Sequence, residues 1–425
     1  MATAGCGSVS DSVRGYPLRA FVICLIAYTT AQMDLALFGY AVPAIRAEFG
    51  LTLSEVMAIV SAAFLLGGAL LVVLGWLADR VGRLPLFQFS LLGSSFLVAL
   101  ISIAPGVATL TALRGASIAV GGLSYPITGA IITEEMPARL RGLFMGLLQI
   151  GYPLGWALAS LWSMWLLTEY GWRQLFWVGL VSLPMVWVVR RYLREPPRSV
   201  AARAQEAPPT FAELFAKGTR ERALTLFLAQ FLFVWAYAAS IFLFPSFLRE
   251  VRALDAFNFS LLIGAGNAVG ILGYVLAAWI GERVWTRRNT VVLWTLLGSL
   301  LFQVLVWVPE TFSHILLTYA LMSMFFYGSA AVKFAYLAEV FPTRIRTLAM
   351  ACCGSLAVTL GSAAGPYSVS RAIEIWGWQV GYALLVGVPL GLAGLLYLTL
   401  DALPSGLEVE EIVDRVNKGV APNYG

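Results

Sequence analysis

Runs of about twenty apolar residues, broken by short polar turns, recur along the whole chain. They cover residues 18–43, 54–78, 84–104, 107–136, 140–168, 172–193, 222–248, 257–281, 289–309, 312–339, 345–371 and 377–400. A bilayer core about 30 Å thick takes roughly twenty helical residues to cross. Each run therefore predicts a transmembrane helix, twelve in all. The one long polar stretch, 194–221, carries Pro196, Pro197, Pro208 and Pro209 and predicts a linker between two six-helix bundles, 18–193 and 222–400. Short polar tails remain at 1–17 and 401–425. Thr210 and Glu213 have capping-box spacing, which predicts a short interfacial helix in the linker. Thr52 and Glu55 repeat that spacing at the start of the second span.

Composition agrees and adds an orientation. The chain is 60% hydrophobic and 12% charged, against about half and about a quarter in soluble domains. The polar segment before the first span lacks the pattern of a cleaved leader, so the first helix is expected to be retained. Arginine and lysine gather at alternate turns: Arg14, Arg19, Arg80, Arg83, Arg139, Arg141, the 190–222 cluster, Arg283, Arg287, Arg288, Arg344, Arg346, Arg415 and Lys418. The opposite turns keep Arg46, Arg173, Arg249, Arg252 and Arg371. The positive-inside rule then puts both termini in the cytoplasm of a multi-pass protein, with a bacterial inner membrane as the expected site. The net charge of +5 becomes a topology signal and calls for no nucleic-acid partner. Cys6, Cys24, Cys352 and Cys353 lack metal-ligand spacing, and His314 is the single histidine. No metal site or cofactor is expected.

An internal repeat divides the twelve spans. Glu134-Glu135-Met136-Pro137-Ala138-Arg139-Leu140-Arg141 recurs as Glu339-Val340-Phe341-Pro342-Thr343-Arg344-Ile345-Arg346, after the fourth span of each half. Asp79-Arg80 is echoed more weakly by Glu282-Arg283. Parallel halves of this kind predict a pseudo-two-fold transporter with its site at the midplane between them.

Gly75-Trp76-Leu77-Ala78-Asp79-Arg80-Val81-Gly82-Arg83 follows the second span. Physically it reads as a tight turn: Gly75 permits close helix approach, Gly82 the turn itself, and Asp79 a cap or a partner for arginine. The pattern resembles the loop signature of the major facilitator superfamily, G-x-L-a-D-r-x-G-r-k, with Leu84 at its last position. That resemblance implies an all-α membrane fold of two six-helix bundles. Arg114, Gly121-Gly122, Pro126, Glu134, Pro137 and Arg141-Gly142 resemble the metabolite–proton symporters, the branch of aromatic-acid and sialate carriers. Asp34, Gly39-Tyr40 and Pro43 match the second aspartate of the aromatic-acid pattern D-G-[FY]-D, whereas Ala31 replaces the first aspartate and Ile127 the usual asparagine. Gly171-Trp172-Arg173 through Glu195-Pro196 looks closer to the sialate and monocarboxylate carriers. Glu134, Arg139, Arg141, Asp79, Arg80 and Arg83 are read as a cytoplasmic gate, with Glu339, Arg344 and Arg346 as counterparts.

Ionisable groups within spans cost about 2.5–3.5 kcal/mol each on insertion scales and by default point to function. Asp34, Arg114 and Lys333 stand clear of the helix ends. At 1.5 Å per residue, Asp34 and Arg114 fall at compatible depths in the outer half, so they are predicted to meet, with Arg114 binding the substrate anion and thereby releasing Asp34 to take up the proton. Lys333 falls in the inner half, with no carboxylate at its depth, and reads as an anion site. The bland alternatives are a permanent Asp34–Arg114 salt bridge and a lysine snorkelling to the interface. Phe38, Tyr125, Gln149, Tyr152, Gln230, Tyr237, Asn267 and Tyr327 are candidates to complete a cavity.

Together these features predict a monomeric secondary transporter importing a small organic anion with a proton, Asp34 being the proton carrier. An antiporter exporting a metabolite or drug and a transporter-like receptor remain rivals. No nucleophile–base set suggests an enzyme.

Overall fold

A computed structural model describes residues 15–81, 83–194, 214, 219–341, 345 and 348–402. The expected interfacial helix after Thr210 lies outside the described residues. The first half holds α1 (Tyr16–Phe49), α2 (Leu53–Val81), α3 (Arg83–Ile101), α4 (Val107–Gly122 and Ser124–Glu135) and α5 (Ala138–Leu148 and Gly151–Glu169). Its last member, α6, is Trp172–Leu175, a 3₁₀ stretch Phe176–Ser182, and Leu183–Tyr192. The second half holds α7 (Arg220–Glu250), α8 (Ala256–Arg283), α9 (Arg287–Trp307) and α10 (Phe312–Phe326 and Ala330–Glu339). Two helices with π-turns follow: α11 (Met350–Leu356 and Ala357–Trp376) and α12 (Trp378–Tyr382, Ala383–Gly387 and Val388–Leu398).

Among the described residues, eleven helices are long and apolar enough to cross a membrane. The remaining one, α11, is short of apolarity rather than length: Ser362, Ser368, Ser370, Arg371 and Glu374 dilute it. Ser362 and Ser370 are buried where α11 packs against α7 and α2, while Arg371 and Glu374 pair with each other at its exposed end. This helix completes the twelve predicted spans.

Most of the interruptions follow from proline chemistry. A proline offers no N–H and its ring presses on the carbonyl four residues back. In α12, Pro389 leaves the Leu385 carbonyl without its helical partner, and Trp235 Nε1 of α7 donates to it at 3.1 Å. Gln303 Nε2 serves the Ala383 carbonyl (2.9 Å) and Ser299 Oγ the Gly387 carbonyl (2.8 Å). A broken helix is tolerated at this depth because neighbouring helices re-satisfy it. The capping box at the start of α2 forms as predicted: Thr52 N donates to Glu55 Oε2 (2.8 Å) and Glu55 N to Thr52 Oγ1 (3.2 Å).

Contacts between the halves carry the signature of a two-fold. Such an axis exchanges α1 with α7, α2 with α8, and α5 with α11. The contact of α2 with α11 must then be mirrored by α8 with α5, and both are present, with α1 meeting α7 on the axis. Buried side chains from both halves, including Phe38, Trp156, Phe242 and Phe326, form one continuous core across this seam.

Helix association without a hydrophobic drive between helices relies on close backbone approach. Gly273 of α8 lies against the Met324 main chain, where an added Cβ would fall 2.7 Å from Met324 Cα. Gly273→Ala should therefore overpack the α8–α10 crossing by about 3 kcal/mol. Gly106→Ala, which meets nothing within 4 Å, serves as control. Thermal unfolding in detergent should show a clear drop in melting temperature for the first variant only; equal curves would refute the crossing as a tight one.

Candidate functional site

Two separate groups of candidates emerge. The first joins α1 to α4 inside the first half. Asp34 and Phe38 are one turn apart on α1 and so share a face. Arg114 comes to that face from α4, with its guanidinium over the Phe38 ring at 4.8 Å from the centroid. Arg114 Nη2 donates to the Leu35 carbonyl (2.7 Å) and Nη1 to the Asp34 carbonyl (3.4 Å). Phe38 in turn packs on Phe176 of α6, 6.3 Å between centroids. Asp34 and Arg114 are 4% and 2% exposed, so the whole assembly is shut away from solvent.

The expected meeting of Asp34 with Arg114 is therefore real, but it runs through the main chain. Neither Asp34 carboxyl oxygen has a hydrogen-bond partner among the described residues. Leaving a charged carboxylate in that position costs several kcal/mol, whereas a neutral carboxyl costs far less. Arg114, by contrast, is occupied by carbonyl oxygens and by a ring face.

The second group spans the halves. Lys333 stands in the first turn of the second piece of α10, which restarts after Gly328. Lys333 is 3% exposed, and its Nζ has no hydrogen-bond acceptor among the described residues. The ammonium instead lies over the ring of Phe233 on α7, a cation–π contact. Phe233 is stacked on Tyr237 (5.8 Å) and meets Phe326 edge-on (5.3 Å). Tyr237 continues to Tyr327 (4.9 Å) and across the seam to Tyr152 (5.3 Å), which stacks on Trp156 (6.3 Å). The Tyr327 hydroxyl is 3.4 Å from Ser240 Oγ.

Nearer the termini, Tyr125 of α4 meets Phe334 of α10 at 5.6 Å, a second ring contact between the halves. Gln149 fixes Tyr125 by donating to its hydroxyl (2.8 Å), and Gln149 Oε1 accepts from Tyr28 (3.5 Å). Gln230 is buried on α7, three residues before Phe233. Asn267 points elsewhere: its Nδ2 donates to the Ile263 carbonyl (2.9 Å) and to the Tyr319 hydroxyl (3.1 Å), inside the second half.

Lys333, Tyr237, Tyr152 and Tyr327 thus belong to one aromatic cluster between the halves, Tyr125 and Gln149 to the contact next to it, and Arg114 with Phe38 to another place. Phe233, Phe326 and Phe334 are additions that residue type alone did not single out. Positions 230, 233 and 237 have the three-and-four spacing of one helical face, which was the available signal for Phe233. Of the gating candidates, Glu134 is half-buried near the end of α4. The side chains of Gly75, Asp79, Arg80, Arg83, Arg139, Arg141 and Glu339 lie outside the described residues, as do Gly82, Arg344 and Arg346 altogether.

Chemically, a buried ammonium among rings and hydroxyls suits binding of a small anion with a flat apolar body. Among the described residues no group of three His, Cys, Asp or Glu could hold a metal.

Related proteins agree with this architecture. The chain is 28% identical over 395 residues to a probable 4-methylmuconolactone transporter of Cupriavidus pinatubonensis, covering 87% of this chain and 86% of that one. It is 26% identical over 388 residues to a cis,cis-muconate transport protein of Acinetobacter baylyi, covering 86% and 90%. It is also 26% identical over 349 residues to the niacin transporter NiaP of the same organism, covering 74% and 78%. A bacterial homologue of the human lysosomal transporter Spinster, solved in an inward-facing and occupied conformation, has the same fold. The TM-score is 0.69 at 14% identity, over 91% of this chain and 96% of that one. The profile of the Major Facilitator Superfamily matches residues 24–290 and 226–417. With twelve spans in two pseudo-symmetric halves and this profile over most of its length, the chain belongs to the major facilitator superfamily.

Proposed function

We propose that this multi-pass membrane transporter imports a small, planar organic anion, a conjugated or aromatic carboxylate, together with a proton by alternating access. One observation carries the reading: Lys333 is a buried ammonium with no acceptor among the described residues, set in an aromatic cluster that bridges the halves. An unpaired charge so far from water is costly, and a substrate carboxylate supplies the missing partner. Tyr237, Tyr152 and Phe233 offer ring faces to a flat body. The names of the relatives point the same way, since muconate and niacin are small conjugated carboxylates.

Asp34 is the proton carrier in this reading. Its buried carboxyl, with no donor among the described residues, suits a group that shuttles between neutral and charged forms, and Arg114 stands ready on α4. Both termini face the cytoplasm of a bacterial inner membrane, by the arginine distribution. A single chain holds every group invoked, so the monomer suffices.

The test is uptake into proteoliposomes. An inward proton gradient should drive accumulation of conjugated carboxylates above their equilibrium level, and a proton ionophore should abolish it. Failure of every carboxylate, with success of an organic cation or a neutral sugar, would refute the anion reading.

A further inference from the structure

The end of the molecule opposite the termini carries charged contacts between the halves that substrate binding does not explain. Arg46, in the last turn of α1, is ion-paired with Glu250, the last residue of α7. The same carboxylate accepts from Trp378 Nε1 at the start of α12 (3.2 Å). Trp378 is itself seated on Phe247, with centroids 5.8 Å apart. Glu250 therefore ties the end of α1 to two helices of the other half.

A second point lies at α2. The first N–H groups of a helix have no partner within it. Thr52 and Glu55 satisfy two donors in the capping box. The next, Ser54 N, donates to Glu374 Oε1 of α11 at 2.8 Å. Arg371 steadies the other Glu374 oxygen at 2.9 Å. A helix in one half is thus capped by an acid from the other, where the positive helix terminus favours a negative charge. Glu48 takes no part: Arg173 and Trp172 hold it within the first half.

Both contacts join α1 and α2 to α7 and α11, the helices that must part if this end is to open. We infer that Glu250 and Glu374 form a two-point latch that holds the two halves shut at the end opposite the termini. The latch sets the balance between closed and open forms of that end, and it makes no use of the substrate.

Spin labels at the exposed positions Ile103 and Val308, 65% and 66% accessible and one in each half, report the separation of that end. Glu250→Ala should raise the population with long distances about two- to fivefold, the range for partly exposed pairs. Adding Glu374→Ala should raise it further. Exchanging the charges, Arg46→Glu with Glu250→Arg, should return the distribution toward that of the unaltered protein. Glu250→Gln, which preserves shape and an acceptor for Trp378, gives the same reading if the alanine variant does not fold. Unchanged distances in the single variants, or a charge exchange that does not restore them, would overturn the latch. The measurement needs no substrate, so failure of the anion reading leaves it standing.

Discussion

Lys333→Gln should yield a transporter that is more stable and binds its anion at least about tenfold more weakly. The two effects have opposite signs for one reason. Without its anion, Lys333 is a cation in a buried site with no acceptor among the described residues, set over the Phe233 ring. Keeping such a charge within a span costs about 2.5–3.5 kcal/mol on insertion scales, so an uncharged side chain of similar length removes a penalty. The melting temperature in detergent should rise. With a carboxylate bound, the same charge becomes one half of a charge-assisted hydrogen bond worth about 1.5–3 kcal/mol. Its loss should weaken binding roughly 10- to 150-fold. Radioligand binding to the detergent-purified protein, run beside thermal unfolding, separates the alternatives. A lysine whose ammonium merely snorkels away predicts unaltered affinity, and that result would remove Lys333 from the site. Lys333→Met adds a control: it should match glutamine in lost affinity and equal or exceed it in stability.

How far the sequence carried the reading varied with the physics behind each feature. Helix number and the division into halves rest on hydropathy and a repeat, and both survive in the structure. Helix continuity was less legible. Spans four, five, six, ten, eleven and twelve are each divided, and a proline can free a carbonyl for a neighbouring helix to satisfy. Trp235 reaching Leu385 is one case, and nothing near either residue in sequence announces it. Rise per residue placed Asp34 and Arg114 at one depth correctly. It carries no information on which oxygen the guanidinium selects, and Arg114 selects the carbonyls of Asp34 and Leu35. Lys333 was found because a charge in an apolar run stands out, whereas Phe233 beneath it did not, being one phenylalanine among 25. The Arg46–Glu250 pair joins helix ends that are distant in sequence, where charges are ordinary, so only the fold reveals it.

Asp34→Asn carries the second large effect, and it concerns coupling rather than binding. Asparagine has the shape of a protonated aspartate and cannot release a proton. If Asp34 is the carrier, the variant is fixed in its loaded form. The halves should still exchange, because the amide stands in for the neutral carboxyl of the loaded form and Arg114 keeps its main-chain partners on α1. Counterflow of labelled for unlabelled substrate across proteoliposomes should therefore persist at close to the normal rate. Accumulation should not. One proton per monoanion allows about a tenfold inward gradient for each pH unit imposed, since a unit is worth about 1.36 kcal/mol. The unaltered protein should approach that ratio at a one-unit gradient, and the variant should stop near equal concentrations. Accumulation at the normal ratio in Asp34→Asn would show that the proton travels elsewhere. Loss of counterflow together with accumulation would assign Asp34 to holding α1 and Arg114 in place. Arg114→Gln refines the choice: with its donors removed from the α1 carbonyls, a positioning role predicts weakened counterflow with the accumulation ratio retained once equilibrium is reached.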